Sequence, residues 1–409
     1  VRRGANVLVV GFDSADSGLV ARLCDAGELP ALRSLRDRGA WGTLTSPIAL
    51  GDDAAWASFS TASEPGGHGR YFWRRLQPGT YARPKFGDAR LGREPFWSAL
   101  SRSGYRVAVI DVPKSPLAPA LDGIQLADWL VHGRDGPTRS NPPELAADVL
   151  ARFGDDPTDR PGTDDWLCRM DPLGAQELEP FLERLLGTIE RKAALSAEHL
   201  SRGGWDLFLT VFKESHCVAH QCWHLLDPGH PAHDPELARR LGGPVQRVYR
   251  ALDEALSRLI ELIGPGSTAL VFSDLGMGAN DTGEHLLDEV LYRLEWADAP
   301  LAQRARLFTS RTGARLRRRG ARRASPRHRR VFQVEHNEIS GAIRVNVKGR
   351  EPHGRVRRGD ELEALYASLT DDLLSLVDPD SGRPIVEQVV RADEAFPGQH
   401  RERLPDLLV

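Results

Sequence analysis

Residues 6–12 read NVLVVGF, an uninterrupted apolar run that stops at Asp13. A strand buried on both faces of a parallel sheet reads this way, because neither face has to alternate with solvent. Three more runs share the pattern: 105–112 (YRVAVIDV, closed by Pro113), 205–212 (WDLFLTVF) and 267–273 (STALVFS). Helical stretches lie between them, at 17–26, 30–38, 178–200 and 245–263, and 341–347 (GAIRVNV) returns to strand pattern. Strands alternating with helices predict an α/β fold on a mainly parallel central sheet. Ligands in such sheets sit at the carboxyl ends of the strands. The polar residues that follow each run are therefore the ones to inspect.

The totals narrow the picture modestly. A chain of 409 residues accommodates one large α/β domain or two to three smaller ones. Its 54 Lys and Arg against 57 Asp and Glu leave a formal charge of −3, so nothing in bulk pulls it to nucleic acid or membrane. Cys24, Cys168, Cys217 and Cys222 are too few and too scattered for a disulfide framework, and their spacing matches no zinc knuckle. Reduced thiols in a cytoplasmic enzyme are the expectation. No stretch approaches the roughly 18–20 apolar residues of a membrane span, and no signal peptide opens the chain. Residues 302–330 are crowded with arginine, from Arg315 to Arg330. No aromatic residue interleaves them after Phe308, so an excursion from the core is expected, not a nucleic-acid patch.

Four segments put acids and histidines after strands. Asp13 ends the first run. Asp52 and Asp53 begin a stretch that continues through Trp56 and Thr61 to His68. Lys213, Glu214, His216, His220 and His224 follow the third run. Asp274 follows the fourth. Oxygen and imidazole ligands converging at strand ends are what a hydrolytic divalent metal site needs. Singly, each is weak: an acid after a strand is often a helix cap. His216 and His220, at i and i+4, share a face if their segment is helical.

The order of these segments resembles the alkaline phosphatase superfamily, in its type I phosphodiesterase/nucleotide pyrophosphatase branch. The residues carrying the resemblance are Gly11-Phe12-Asp13, Gly27-Glu28-Leu29-Pro30, Trp56 with Ser58-Phe59 and Thr61, Pro65, His68-Gly69, Ser273-Asp274-Leu275-Gly276, and the run NVKGREP at 346–352. The resemblance implies one alkaline-phosphatase-like domain over 1–409, with helices on both faces of the sheet. Helical excursions are expected near 135–200 and 290–335. It also implies a further C-terminal element carrying a last histidine, which this chain does not show; 404–409 (LPDLLV) resembles the strand that precedes it.

The departures concern the chemistry. The position of the family's Thr or Ser nucleophile holds Asp52, its Asp-x-x-x-His pair reads His216-x-x-x-His220, and the His after the second acid is Leu275. The resemblance then implies one or two divalent ions (zinc, manganese, iron or magnesium) held by Asp13, Asp52, His216, His220 and Asp274. Asp13, Asp52 and Asp274 would form an all-carboxylate set suited to a hard ion. Asp52, as the catalytic candidate, would act mainly as a ligand and not as a covalent nucleophile. The expected substrate is a small phosphate ester, including a diester, or a sulfate ester. The alternative from another class is a member that binds metal or ligand without hydrolysis, or has turned the site to other chemistry. Lys213, Arg70, His132 and Arg350 are looser candidates for holding the anion.

Overall fold

The first apolar run is strand β1 (Ala5–Phe12), an inner strand of a six-stranded sheet in this computed structural model. Residues 5–86, 91–134, 136–158, 173–280, 283–301, 304, 325–337 and 339–409 are described. The chain divides into two compact units, one of Val1–Ser46, Ala55–Ala62 and Leu91–Ala279, the other of Pro47–Ala54, Ser63–Arg90 and Asn280–Val409.

The sheet of the first unit adds β2 (Val107–Ile110), β3 (Gly123–Ala127), β4 (Arg139–Asn141), β5 (Trp205–Phe212) and β6 (Thr268–Phe272), in the order β4-β3-β2-β5-β1-β6. All pairs are parallel except β3 with β4. The register sets Phe12 beside Phe212 and Gly11 beside Phe272, so Asp13, Lys213 and Ser273 leave the sheet at one edge.

Helices cover both faces, and the alternation along β1 shows why. Leu8, Val10 and Phe12 join a core with Phe181, Leu185, Val218, Val248 and Leu252, contributed by the helices Leu178–Arg202, Glu214–Leu226 and Pro244–Glu261. Val9 faces the other way, into a core with Trp56, Trp97 and Leu209. Gly11 lies on that second face: a Cβ there would meet Val211 at 3.0 Å and the Trp56 ring at 3.2 Å. The helix Pro30–Arg38 has no side-chain cap of its own. The carboxylate of Asp253, from Pro244–Glu261, accepts Ala31 N at 2.9 Å and Leu32 N at 2.8 Å instead, which supplies two of the donors a helix start leaves open.

The second unit holds an antiparallel sheet of β7 (Val331–Val334), β8 (Ala342–Val345), β9 (Val390–Arg391) and β10 (Leu407–Leu408), ordered β7-β8-β10-β9. Ile343, Val345 and Leu407 pack against Leu291 and Leu369 from the helices Leu287–Asp298 and Asp360–Leu374.

Three sequence expectations need adjusting. The second run yields only the four residues of β2, because Asp111 turns the chain with φ of 56°. The fourth run, expected to be buried, is an edge strand, and Leu270 is 49% exposed. β3 and β4 were not anticipated: GIQLA carries Gln125 in its centre, fully buried and bonded to Trp97 Nε1, Ala118 N and Pro116 O. Of the arginine run, 315–324 lies outside the described residues. Arg329 is buried, bonding Asp288 at 3.0 Å and Glu295 at 3.1 Å as the chain enters β7, in the second sheet and not the central one.

Candidate metal centre

Strand ends β1, β5 and β6 are knitted together by short-range polar contacts around Ser14. This residue holds a left-handed conformation, φ 54°, uncommon for a residue with a Cβ. The turn aims its backbone N–H at Asp274 Oδ1, 2.8 Å away, and Ala15 N donates to Ser273 Oγ at 2.8 Å. Ser215 Oγ donates to the carbonyl of Asp13 at 2.7 Å. Ser46 Oγ donates to the carbonyl of Asp274.

Asp13 is buried, with Oδ1 accepting Trp56 Nε1 at 3.0 Å and Oδ2 3.3 Å from His216 Nδ1. Burial would raise its pKa, but His216 beside it and the Trp56 hydrogen bond hold the carboxyl below its ordinary value. Ser14 Oγ lies 3.3 Å from the same imidazole nitrogen. The carboxylate favours the proton on Nδ1 of His216, which leaves Nε2 with its lone pair on the opposite side of the ring.

That opposite side is where the other imidazoles stand. The helix Glu214–Leu226 carries His216 and His220 one turn apart, with their Nε2 atoms 2.7 Å from each other. His132 arrives from the segment after β3 and stacks on His216, ring centroids 4.0 Å apart and planes 26° apart. Nitrogens of His132, His216 and His220 all lie within 4.8 Å of one another. Burial pushes His132 well below its usual value, and the neighbouring His216, His220, Lys114 and Lys213 push the same way. Burial and His216 lower His220 to about 3, against the weaker pull of Asp13. Both imidazoles are therefore neutral near pH 7, the state that can donate a lone pair to a metal. Three convergent imidazoles, one of them oriented by a carboxylate, fit a divalent transition ion such as zinc, manganese or iron. Among the described residues no other group of three or more His, Cys, Asp or Glu side chains converges in this way.

Asp13, His216 and His220 meet, and Asp274 joins them through Ser14. Asp52 opens the helix Asp52–Thr61 and belongs to the second unit. Glu214 is buried but outside the imidazole group. Burial raises its carboxyl pKa, and Lys192 and Lys213 partly offset this.

Three of the looser anion candidates are engaged in ion pairs. Lys213 Nζ bonds Asp156, and Thr158 Oγ at 2.7 Å. Arg70 bonds Asp53 through Nε at 2.8 Å. Arg350 bonds both oxygens of Asp406 at 2.7 Å. The fourth, His132, is part of the cluster. Its signal in the sequence was faint: a histidine closing the apolar stretch WLV, after a strand whose buried glutamine concealed it.

A mainly parallel sheet with helices on both faces, and carboxylates and imidazoles gathered at its strand ends, defines an α/β protein with a candidate metal centre. The chain belongs to the type I phosphodiesterase / nucleotide pyrophosphatase family, whose model matches residues 7–409. A phosphonoacetate hydrolase from Sinorhizobium meliloti in complex with phosphonoformate is similar in fold, with TM-score 0.53 and 15% identity over 99% of this chain and 80% of that one. The same enzyme in complex with phosphonoacetate gives TM-score 0.53 and 16% identity over the same shares. A putative sulfatase from Bacteroides fragilis matches more distantly, with TM-score 0.32 and 14% identity over 68% and 63% of the two chains. No curated protein matches. Among the described residues no helix is long and apolar enough to cross a membrane.

Proposed function

We propose that the chain is a metal-dependent hydrolase of small phosphate esters, diesters included, or of related sulfate esters. The observation that carries this reading is the three-imidazole group of His132, His216 and His220 at the strand ends, in a chain of this family. A divalent ion held there supplies Lewis acidity toward an ester oxygen and stabilises the charge that develops in the reaction.

The chain's own residues do the rest. Asp13 fixes the tautomer and the plane of His216, and Trp56 fixes Asp13. Asp274 holds the strained Ser14 turn and with it the approach of Asp13 to the histidine. Neutral His132 and His220 leave the site without competing protons near pH 7. Asp52 is the remaining sequence candidate; as a carboxylate in place of a hydroxyl, it favours ligation over covalent attack on the ester. Zinc, manganese and iron suit imidazole donors. Action in the cytoplasm is the reading that the buried free thiols of Cys24, Cys217 and Cys222 support.

The test is turnover of bis-p-nitrophenyl phosphate, p-nitrophenyl phosphate and p-nitrophenyl sulfate by protein stripped with chelator and reloaded with each metal. Metal-dependent release of nitrophenol that His220→Ala abolishes is the expected result. Tight metal binding without turnover of any ester would favour instead the reading that Leu275 and Asp52 mark a member that binds without hydrolysing.

A further inference from the structure

His132 is the one imidazole of the group that does not ride on the helix Glu214–Leu226, so something must bring its segment to the other two. Lys192, in the helix Leu178–Arg202, is wholly buried. Its Nζ donates to Leu130 O at 2.7 Å and Val211 O at 2.6 Å, and lies 3.1 Å from Asp111 Oδ2. Asp111, also wholly buried, accepts Trp129 N at 2.9 Å on Oδ1 and Leu130 N at 2.8 Å on Oδ2. The three protons of the ammonium thus meet three acceptors, and the carboxylate takes two backbone donors besides the lysine. A buried ion pair satisfied to this degree is stable only in one arrangement of its partners.

Those partners are informative. Val211 belongs to β5, which runs directly into the helix of His216 and His220. Trp129 and Leu130 lie three and two residues before His132. Asp111 holds a left-handed turn, φ 56°, at the end of β2, the strand between β3 and β5. We infer that the Lys192–Asp111 pair is the positioning device of the metal centre, binding the His132 segment to the end of β5 so that the third imidazole meets the other two. Neither residue touches the site itself. The backbone of Trp129 and Leu130 is gripped twice, its N–H groups by Asp111 and the Leu130 carbonyl by Lys192, so the segment can neither slide along β2 nor lift from β5. The inference rests on the three-imidazole reading above.

The test uses full-length Lys192→Met/Asp111→Asn, which removes both charges together, and Asp111→Asn alone as a single substitution that keeps both carbonyl acceptors of Lys192. Crystal structures without metal come first. The His132 ring is expected to leave its 4.0 Å stack on His216 while the 2.7 Å approach of His216 and His220 survives. A ring that stays in place in either variant overturns the inference, whatever the protein does with metal.

Cobalt(II) affinity and its visible spectrum come second. The pair variant, or Asp111→Asn if only that one folds, should bind about 10- to 100-fold more weakly, the usual cost of losing an outer partner of a ligand. It should also give the spectrum of His132→Ala. In the His132→Ala background the same substitution should cost no further affinity; a full additional loss shows that the pair acts on the protein at large and overturns the inference. Failure of the wild-type protein to bind cobalt would count against the metal reading alone, since the ring position is measured without it.

Discussion

Two buried polar clusters, one in each unit, were equally conspicuous in the sequence and have opposite constitutions. In the second unit the run 346–352 is saturated. Arg350 bonds both oxygens of Asp406 and the carbonyl of Val345, and Arg344 bonds Glu351 and the carbonyl of Leu404. Asp406 Oδ2 and Glu351 Oε2 accept Val345 N and Val347 N. Opposite charges cancel and the bonds tie β8 to β10. In the first unit the imidazoles of His132, His216 and His220 converge on one another instead, two of them held neutral by burial. A saturated cluster is finished as structure, while a cluster of convergent imidazole nitrogens is prepared for a ligand.

The contrast can be broken from either side. The largest expected effect is Arg350→Met, which strands Asp406 in the interior and should cost about 3–5 kcal/mol of unfolding free energy in urea titration. A cost below about 1 kcal/mol would mean the network is ornamental. Next, His220→Ala should lower zinc affinity by more than about 100-fold in calorimetry, beyond the roughly 10- to 100-fold that outer partners are worth. Asp13→Asn comes third. It keeps an acceptor for Trp56 but weakens the hold on the His216 tautomer, so a loss of about 10- to 100-fold in affinity is expected.

The smallest effect near neutral pH is the loss of stability on acidification, which grows as the pH falls. His220 falls to about 3 in the folded chain, and His132 is depressed as well. An unfolded histidine takes up its proton near pH 6.5. The unfolded chain therefore binds more protons below that value. Stability that is complete above about pH 6.5 is lost as pH falls toward about 3, by at most about 1.4 kcal/mol per pH unit for each histidine. Burial would raise Asp406, but Arg344 and Arg350 hold it below its ordinary value. Its contribution is present above about pH 3.9 and is lost only below that, as pH falls through the depressed folded value. Hydrogen exchange across an acid series should open the helix Glu214–Leu226 before β8. The reverse order would reject the assignment of the two clusters.

What the sequence made legible follows the same division. β5 was readable to the residue because six of its eight positions are apolar, and all but Asp206 are buried. The helices Pro30–Arg38 and Leu178–Arg202 were readable from their spacing. The pairing of His216 with His220 needed only a helical turn. His132 stood only among the looser anion candidates, because its place depends on Lys192 and Asp111, 60 and 21 residues away in sequence and informative only once folded. Nor could the sequence say that Lys213, Arg70 and Arg350 already had partners, at Asp156, Asp53 and Asp406. Strand patterns and local spacings are short-range properties; which charge answers which is not.

Gly11 can now be understood in terms of inheritance. Its missing side chain leaves room for the Trp56 ring against β1, and that ring gives Asp13 its hydrogen bond. The glycine two residues ahead of the aspartate is therefore a record of Trp56 and Val211 and not of a turn. In relatives of this chain the three positions should change together. Lineages that shrink both Trp56 and Val211 would be free to fill position 11, and those that keep either would not.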